Sequence, residues 1–409
     1  VPVRQQALTV VAPVERAARA GLAARLSAIE PDVCTALTSV KSLHFARFVL
    51  LDGPDGPASR LAFEASHDGE RAQLVTELSV ALAPFEATLC GAWAGYHSGD
   101  LASFVEANAR PATTFYLGHP GLSVQRILDD ATVRDRLESL LDDAQTSGRL
   151  AGKSFVEVRE ALLAALPIPG QPAIVLGPVD RGLPRQPQAE EEFAVVVLAV
   201  LLLAVFVIPA ALVVEWRERS TEAPAQLVAE DDPRLDSILA REDAFALNGL
   251  THHVPMRPGR LRRSALRLVL WFLEQARQKV AYKGTLGDIS SIHFARWVLL
   301  EDQTVLFFSN YDGSWESYLG DFVDKAHIYL SAVWSNTKWF PPTVGLIFGG
   351  ASKESTFKRW VRTFQVENQI WYSAYPHITV SNVLANAKVR EGAAGPMTEE
   401  QARAWLACL

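Results

Sequence analysis

Residues 291–322, "SIHFARWVLLEDQTVLFFSNYDGSWESYLGDF", decide how this chain folds. His293-Phe294-Ala295-Arg296 runs into the apolar "WVLL", "EDQ" makes a turn, and a second apolar run, "TVLFFSN", leads to Asp312-Gly313. Short β-branched and aromatic runs joined by turn residues are hairpin signals. Beyond Asp-Gly, in "SWESYLGDFVDKAHIYLSAVWS", the apolar spacing lengthens to the helical period. The stretch therefore reads strand, turn, strand, helix. "GSWES" is no nucleophile elbow, because it sits at a helix start, where a serine reads as an N-cap.

A shorter echo occupies residues 42–70, "SLHFARFVLLDGPDGPASRLAFEASHDGE". His44–Arg47 repeats the HFAR motif, Asp68-Gly69 repeats the Asp-Gly, and an amphipathic stretch, "ERAQLVTELSVALAPFEATLCGAW", follows. The echo resumes where "TTFYLGHPGLSVQRILDDATVRDRL" (113–137) parallels "QIWYSAYPHITVSNVLANAKVREG" (369–392), with Tyr116 on Tyr372 and Pro120 on Pro376. Matches in register at three separate places make an internal duplication.

The second copy is expected to run β-β-α-β-α-β: strands near 292–300 and 304–310, a helix at 315–333, a strand at 343–348, a helix at 352–364 and a strand at 369–375. That is an α+β, ferredoxin-like order. The first copy lacks the third strand, since only "AGYHSGD" separates its first helix from "LASFVEANA". A sheet with helices on one face must bury the other. Two copies burying each other's open faces give a pseudo-dimeric α/β barrel within one chain. The expected divisions are an N-terminal helical segment (1–40), repeat 1 (41–150), a linker (151–191), a membrane segment (192–216), a second linker (217–256), a basic amphipathic helix (257–283) and repeat 2 (284–409).

On these motifs the chain resembles the dimeric α/β-barrel superfamily, which includes dye-decolorising peroxidases, chlorite dismutases and small monooxygenases. "IHFARWVLL", "FFSNYDGSWESYLGDF" and "WYSAYP" are similar, more closely, to a bacterial family of membrane-associated proteins with no assigned activity. That likeness covers the second repeat well and the first loosely.

Phe193–Val214 is a run of 22 residues without a charge, containing Leu202, Phe206 and Pro209 and followed by Glu215-Trp216-Arg217. A bilayer core takes about 20 apolar residues, so the length suits a membrane segment. Trp216 suits the interfacial belt, and a buried core helix is the other reading. A single crossing would part the repeats. The segment therefore enters and leaves by one face, crosses while each repeat pairs with another subunit, or is completed by a second segment.

Residues 257–283 carry Arg262, Arg263 and Arg267 with Trp271 among apolar residues at helical spacing. Such a helix suits the surface of an anionic leaflet; packed on its own core it would show a solvated basic face. The balance places both repeats on the cytoplasmic face of a bacterial cytoplasmic membrane. The expected partners are anionic lipids and a homo-oligomer or larger membrane complex. A net charge of −7 argues against nucleic acid. Cys34, Cys90 and Cys408 lack metal-site spacing and read as reduced thiols.

Strand alternation puts His293, Ala295, Trp297 and Leu299 on one face, and Phe294, Arg296, Val298 and Leu300 on the other. An Arg among apolar residues needs a partner. Asp312 is the candidate for Arg296 and Asp68 for Arg47, either as fold-specifying pairs or as chemistry. The superfamily resemblance implies the latter: in its haem-containing barrels an Arg, sometimes with an Asp, works on bound peroxide. Arg296 and Asp312 are then catalytic candidates in a peroxidase-like or monooxygenase-like oxidoreductase. Haem, the candidate cofactor, would need a His such as His327 or His377. The aromatic second repeat suggests either an ordinary core or a lining for a hydrophobic ligand, with Arg47, Asp68, Tyr311, Trp371 and Tyr372 as contacts. No Walker A, GxSxG or HExxH motif is present. A non-catalytic membrane scaffold or accessory subunit is the competing class.

Overall fold

The computed structural model describes residues 3–53, 55–167, 175–178, 180, 181, 194, 197, 198, 201, 209, 211–216, 218, 225–229, 231–242, 245–279 and 289–409. Strands β1 (Gln5–Pro13), β2 (Leu43–Gly53), β3 (Gly56–Asp68) and β4 (Thr114–Leu117) come from the first half of the chain. From the second come β5 (Leu247–Pro255), β6 (Ile292–Leu299), β7 (Thr304–Asp312), β8 (Thr343–Val344), β9 (Phe348–Gly349), β10 (Gln365–Val366) and β11 (Ile370–Ser373). The protein is α+β, with one sheet of order β1-β3-β2-β11, a second of order β10-β5-β7-β6-β4 and a small β8-β9 hairpin. Every named pairing is antiparallel.

Both HFAR hairpins form as expected, β2 with β3 and β6 with β7. Because β1 and β2 both run antiparallel to β3, they are parallel to each other, and parallel strands need a crossover. The Leu22–Leu37 helix supplies it, as Arg260–Lys279 does between β5 and β6. Helices Arg71–Ala81 and Trp315–Trp334 follow the two hairpins, the second capped by Ser314, whose side chain accepts from the Ser317 amide. Each half thus repeats the order β-α-β-β-α.

The last strand of each half then crosses to the other sheet. β4 pairs with β6 (Thr114 opposite Trp297) and β11 with β2 (Ile370 opposite Phe48). Where β4 ends, Gly118 passes so close to β6 that a Cβ would lie 2.0 Å from the Ile292 carbonyl oxygen. Only a residue without a side chain fits.

The sheets pack face to face, helices outside. Phe48 and Leu50 point outward into a core shared with helix Leu22–Leu37, whereas Val49 and Leu51 point inward to meet Val298 and Leu306 of the other sheet. Trp297 likewise turns outward toward Trp315–Trp334, and Val298 and Leu300 inward.

Several expectations are corrected. The 1–40 segment holds β1 as well as a helix, and the 217–256 linker holds β5. β1, "QQALTVVAP", is an apolar run too short for periodicity to classify. β5, "LNGLTHHVP", carries Asn and Gly, which strands disfavour. The 151–191 linker includes a helix at Phe155–Ala165. The expected strand at 343–348 is only the β8-β9 hairpin, outside both large sheets.

The basic helix is a crossover helix packed on its own sheet. Leu266 and Leu270 are buried, and the Thr114 hydroxyl donates to the Leu270 carbonyl at 2.8 Å. Arg262, expected at a membrane, is buried against Glu218, 2.6 Å away. Arg263 is half-buried, and Arg267 and Trp271 are exposed. Phe193, Leu202 and Phe206 lie outside the described residues, while Pro209 and Trp216 are described, helical and exposed. Among the described residues no single helix is long and apolar enough to cross a membrane.

Candidate functional site

Between the sheets lies a spine of buried polar side chains. Arg47 and Arg296, from the two HFAR motifs, reach across to the opposite sheet and share Glu64 of β3. Arg47 Nε donates to Glu64 Oε2 at 2.7 Å, and Arg296 Nη2 lies 2.5 Å from Oε1. Arg47 also donates to the carbonyls of Leu250 and Ser309 and to Asn310 Oδ1. Arg296 donates to the carbonyls of Leu8 and Ala65, both at 3.0 Å, and to the Ser66 hydroxyl. All three charged residues are at most 1% exposed. Burial lowers the Arg296 pKa to about 10, against the raising effect of Glu64, which leaves the guanidinium charged at neutral pH.

The expected partners Asp312 and Asp68 are elsewhere. Arg296 stands opposite Phe308, and Asp312 is four residues further along β7, about 13 Å at the rise of a strand. Asp312 instead accepts from His293 Nε2 at 2.8 Å, and Asp68 from His44 Nε2 at 2.9 Å. Register shifts at His44 and His293, one in each copy, explain why. A bulge turns the extra residue off the alternation. His293 therefore leaves the face of Ala295 and Trp297 and packs beside Phe45, His119 and Tyr375.

The two His–Asp pairs are arranged alike. The second oxygen of Asp68 accepts from the Val124 amide, and that of Asp312 from the Val380 amide, both at 2.8 Å. Each amide opens a helix, Val124–Thr146 or Val380–Gly392, where a carboxylate is favoured. The remaining imidazole nitrogen takes a ring that follows the crossed strand. His44 Nδ1 meets the Tyr375 hydroxyl at 2.7 Å, and His293 Nδ1 meets His119 Nε2 at 3.2 Å.

With each Nε2–H donating to its carboxylate, both Nδ1 atoms accept, and His119 Nδ1 has no partner among the described residues. Burial and the carboxylates of Asp68 and Asp312 hold the Tyr375 hydroxyl well above its ordinary pKa, so it stays a donor. Burial, with His293 and His44 nearby, holds His119 well below its ordinary value and therefore neutral.

An Asp–His pair is the arrangement of a general base, but here both imidazoles are fully buried and both nitrogens occupied. The spine joins the halves and offers no atom to a substrate.

A cavity of about 410 Å³ opens beside it, at the seam where β11 and β5 come together. Glu30 and Cys34 of helix Leu22–Leu37, Arg241, Asn248, Asn368 and Trp371 line it, so both halves contribute. Gly249 makes room for Trp371, since a Cβ there would lie 2.4 Å from the indole nitrogen. That nitrogen donates to Asn310 Oδ1 at 3.1 Å, the oxygen that also accepts from Arg47, which links the cavity wall to the spine. Arg241 pairs with Glu30, and burial followed by Glu30 pushes the Cys34 thiol up to about 12.

Of the expected ligand contacts only Trp371 lines this cavity. Tyr311 stacks on Tyr318 at 3.9 Å in the outer core of the second sheet, and Tyr372 lies in that of the first. His327 is half-buried and bonds the Val323 carbonyl in its own helix, while His377 is exposed. Neither is among the partners of Arg296, and the cavity lining includes no histidine. The residues therefore do not fit haem held by His327 or His377. Among the described residues no cluster of three metal-ligating side chains occurs. No protein family, characterised protein or solved structure matches the chain.

Proposed function

We propose that the chain is a membrane-associated, internally duplicated protein of the ferredoxin-like, dimeric α/β-barrel type that binds a small hydrophobic ligand at the seam between its halves. The observation carrying this reading is the seam cavity of about 410 Å³, within the usual range for ligand sites, where Phe245, Leu247 and Trp371 line the wall together with amide and charged side chains that include the Arg241–Glu30 pair. The ligand has an apolar body that packs on Phe245, Leu247 and Trp371. Two features support the barrel type: the repeated β-α-β-β-α order and the face-to-face sheets that exchange their last strands. The uncharged run 193–214 supports attachment to a bacterial cytoplasmic membrane with anionic lipids, the folded halves on its cytoplasmic face. Oxidoreductase chemistry at Arg296 loses its support, because that guanidinium is spent on Glu64, Ser66 and two carbonyls.

The test is organic extraction of protein purified from native membranes, followed by mass spectrometry, beside a Cys34→Trp variant whose indole fills the cavity. Near-stoichiometric ligand in the wild type, lost in a folded variant, is the expected result. A folded wild-type protein that releases nothing would leave a scaffold or accessory subunit as the function.

A further inference from the structure

The outer edge of the second half is built inside out. In the helical turn 211–216, Glu215 is buried. Its carboxylate accepts from the Thr343 hydroxyl at 2.6 Å and from the amides of Gly345 and Leu346 at 2.9 and 3.0 Å. Those amides form the turn of the β8-β9 hairpin. Ala211, one helical turn before Glu215, packs with Leu346 and with Ala265 of the Arg260–Lys279 helix. The Glu215 carboxylate, the Thr343 hydroxyl and these two amides thus face inward and satisfy one another.

Its outside is apolar. Val344 and Phe348 are cross-strand partners on the hairpin, 54% and 61% exposed. On the helical turn Val213 and Trp216 are 64% and 74% exposed. A surface made for water would reverse the arrangement, because exposed apolar area is costly and backbone amides are readily hydrated. In lipid the opposite holds: each backbone group needs an internal partner, and apolar side chains point outward.

We infer that the hairpin and the 211–216 turn form one unit that sits in the interfacial layer of an anionic bilayer. This rests on the membrane association proposed above and adds a contact from a different part of the chain. Two observations favour lipid over a protein partner. Residues 211–214 of the helical turn are the end of the uncharged run 193–214, so the unit includes part of the expected membrane segment. Arg260 and Arg267 on the neighbouring helix are exposed, and neither pairs with a carboxylate among the described residues. Apolar tips on a unit that packs against a helix with exposed basic groups complement an anionic leaflet.

The test uses the full chain with Cys34→Ser and Cys408→Ser, a nitroxide on Phe348→Cys and, as control, on Val80→Cys, which is 75% exposed on the first half. Each is mixed with phosphatidylcholine–phosphatidylglycerol vesicles, floated, and its collision rates with oxygen and with a water-soluble nickel chelate are measured. The expected result is flotation of both, with the label at 348 losing access to the chelate and that at 80 keeping it. Flotation with the 348 label still open to the chelate overturns this inference and leaves membrane association standing. Failure to float overturns both.

Discussion

The two copies of the HFAR arginine meet different partners at the same place. Arg47 stands opposite Glu64 on its own hairpin, whereas Arg296 stands opposite Phe308. A fully symmetric duplication would have buried two arginines and two glutamates. Here one carboxylate serves both guanidinium groups, and the equivalent position on the other hairpin holds Phe308, whose ring centroid lies 5.4 Å from Arg47. Phe115 plays the same part for Arg296 at 5.1 Å. The spine therefore holds one surplus positive charge, tolerated because carbonyls from both sheets take up the remaining N–H groups.

Removing the shared carboxylate should break this arrangement most severely. Glu64→Gln leaves two buried guanidinium groups without a counter-charge, and losing one partner of a buried pair costs roughly 3–5 kcal/mol. Urea unfolding should show Arg47→Met and Arg296→Met each costing less than Glu64→Gln, because either change removes the surplus charge and leaves the other arginine in a neutral pair with Glu64. An arginine variant that loses as much stability as Glu64→Gln would mean that the surplus charge has no energetic content.

The His–Asp pairs, by contrast, are matched in both copies, and their variants should match too. Asp68→Asn and Asp312→Asn each weaken a charged hydrogen bond to imidazole and another to a helix amide. Each such bond contributes about 1.5–3 kcal/mol. The two variants should lower the unfolding midpoint by similar amounts. A wide difference would show that one pair carries the seam alone.

Much of this could be read from the chain. HFAR, the turn and Asp-Gly gave both hairpins, because local periodicity encodes them, and the alignment of Tyr116 with Tyr372 placed β4 and β11 in equivalent positions. The exchange of those strands between sheets could not be read, since pairing partners leave no local mark. Nor could the bulges at His44 and His293, which turn one residue off an otherwise regular alternation. Glu64 does leave a mark, because "AFEAS" sets a charge inside an apolar strand. The seam cavity draws on residues from Glu30 to Trp371, too scattered for any motif.

The smallest effect expected lies at the ring that meets the imidazole Nδ1, which differs between the copies. His119 occupies the place that Tyr375 holds in the second, after the crossed strand. Folding keeps His119 neutral, with its pKa well below the unfolded value of about 6.5. Above that pH its contribution to stability is intact. Below it the unfolded chain takes up a proton that the folded one refuses, so stability falls by about 1.4 kcal/mol per pH unit until the folded pKa is reached. His67 and His253, each lowered to about 4, and His252, lowered to about 3, all chiefly by burial, act in the same direction. His119→Tyr should let a phenol donate to His293 Nδ1 as Tyr375 donates to His44. Its unfolding midpoint should stay near wild type at pH 7.5 and exceed it at pH 5, by the share of one proton out of four. A variant as acid-sensitive as the parent would mean that the other histidines set the response and that the ring at position 119 is interchangeable in both copies.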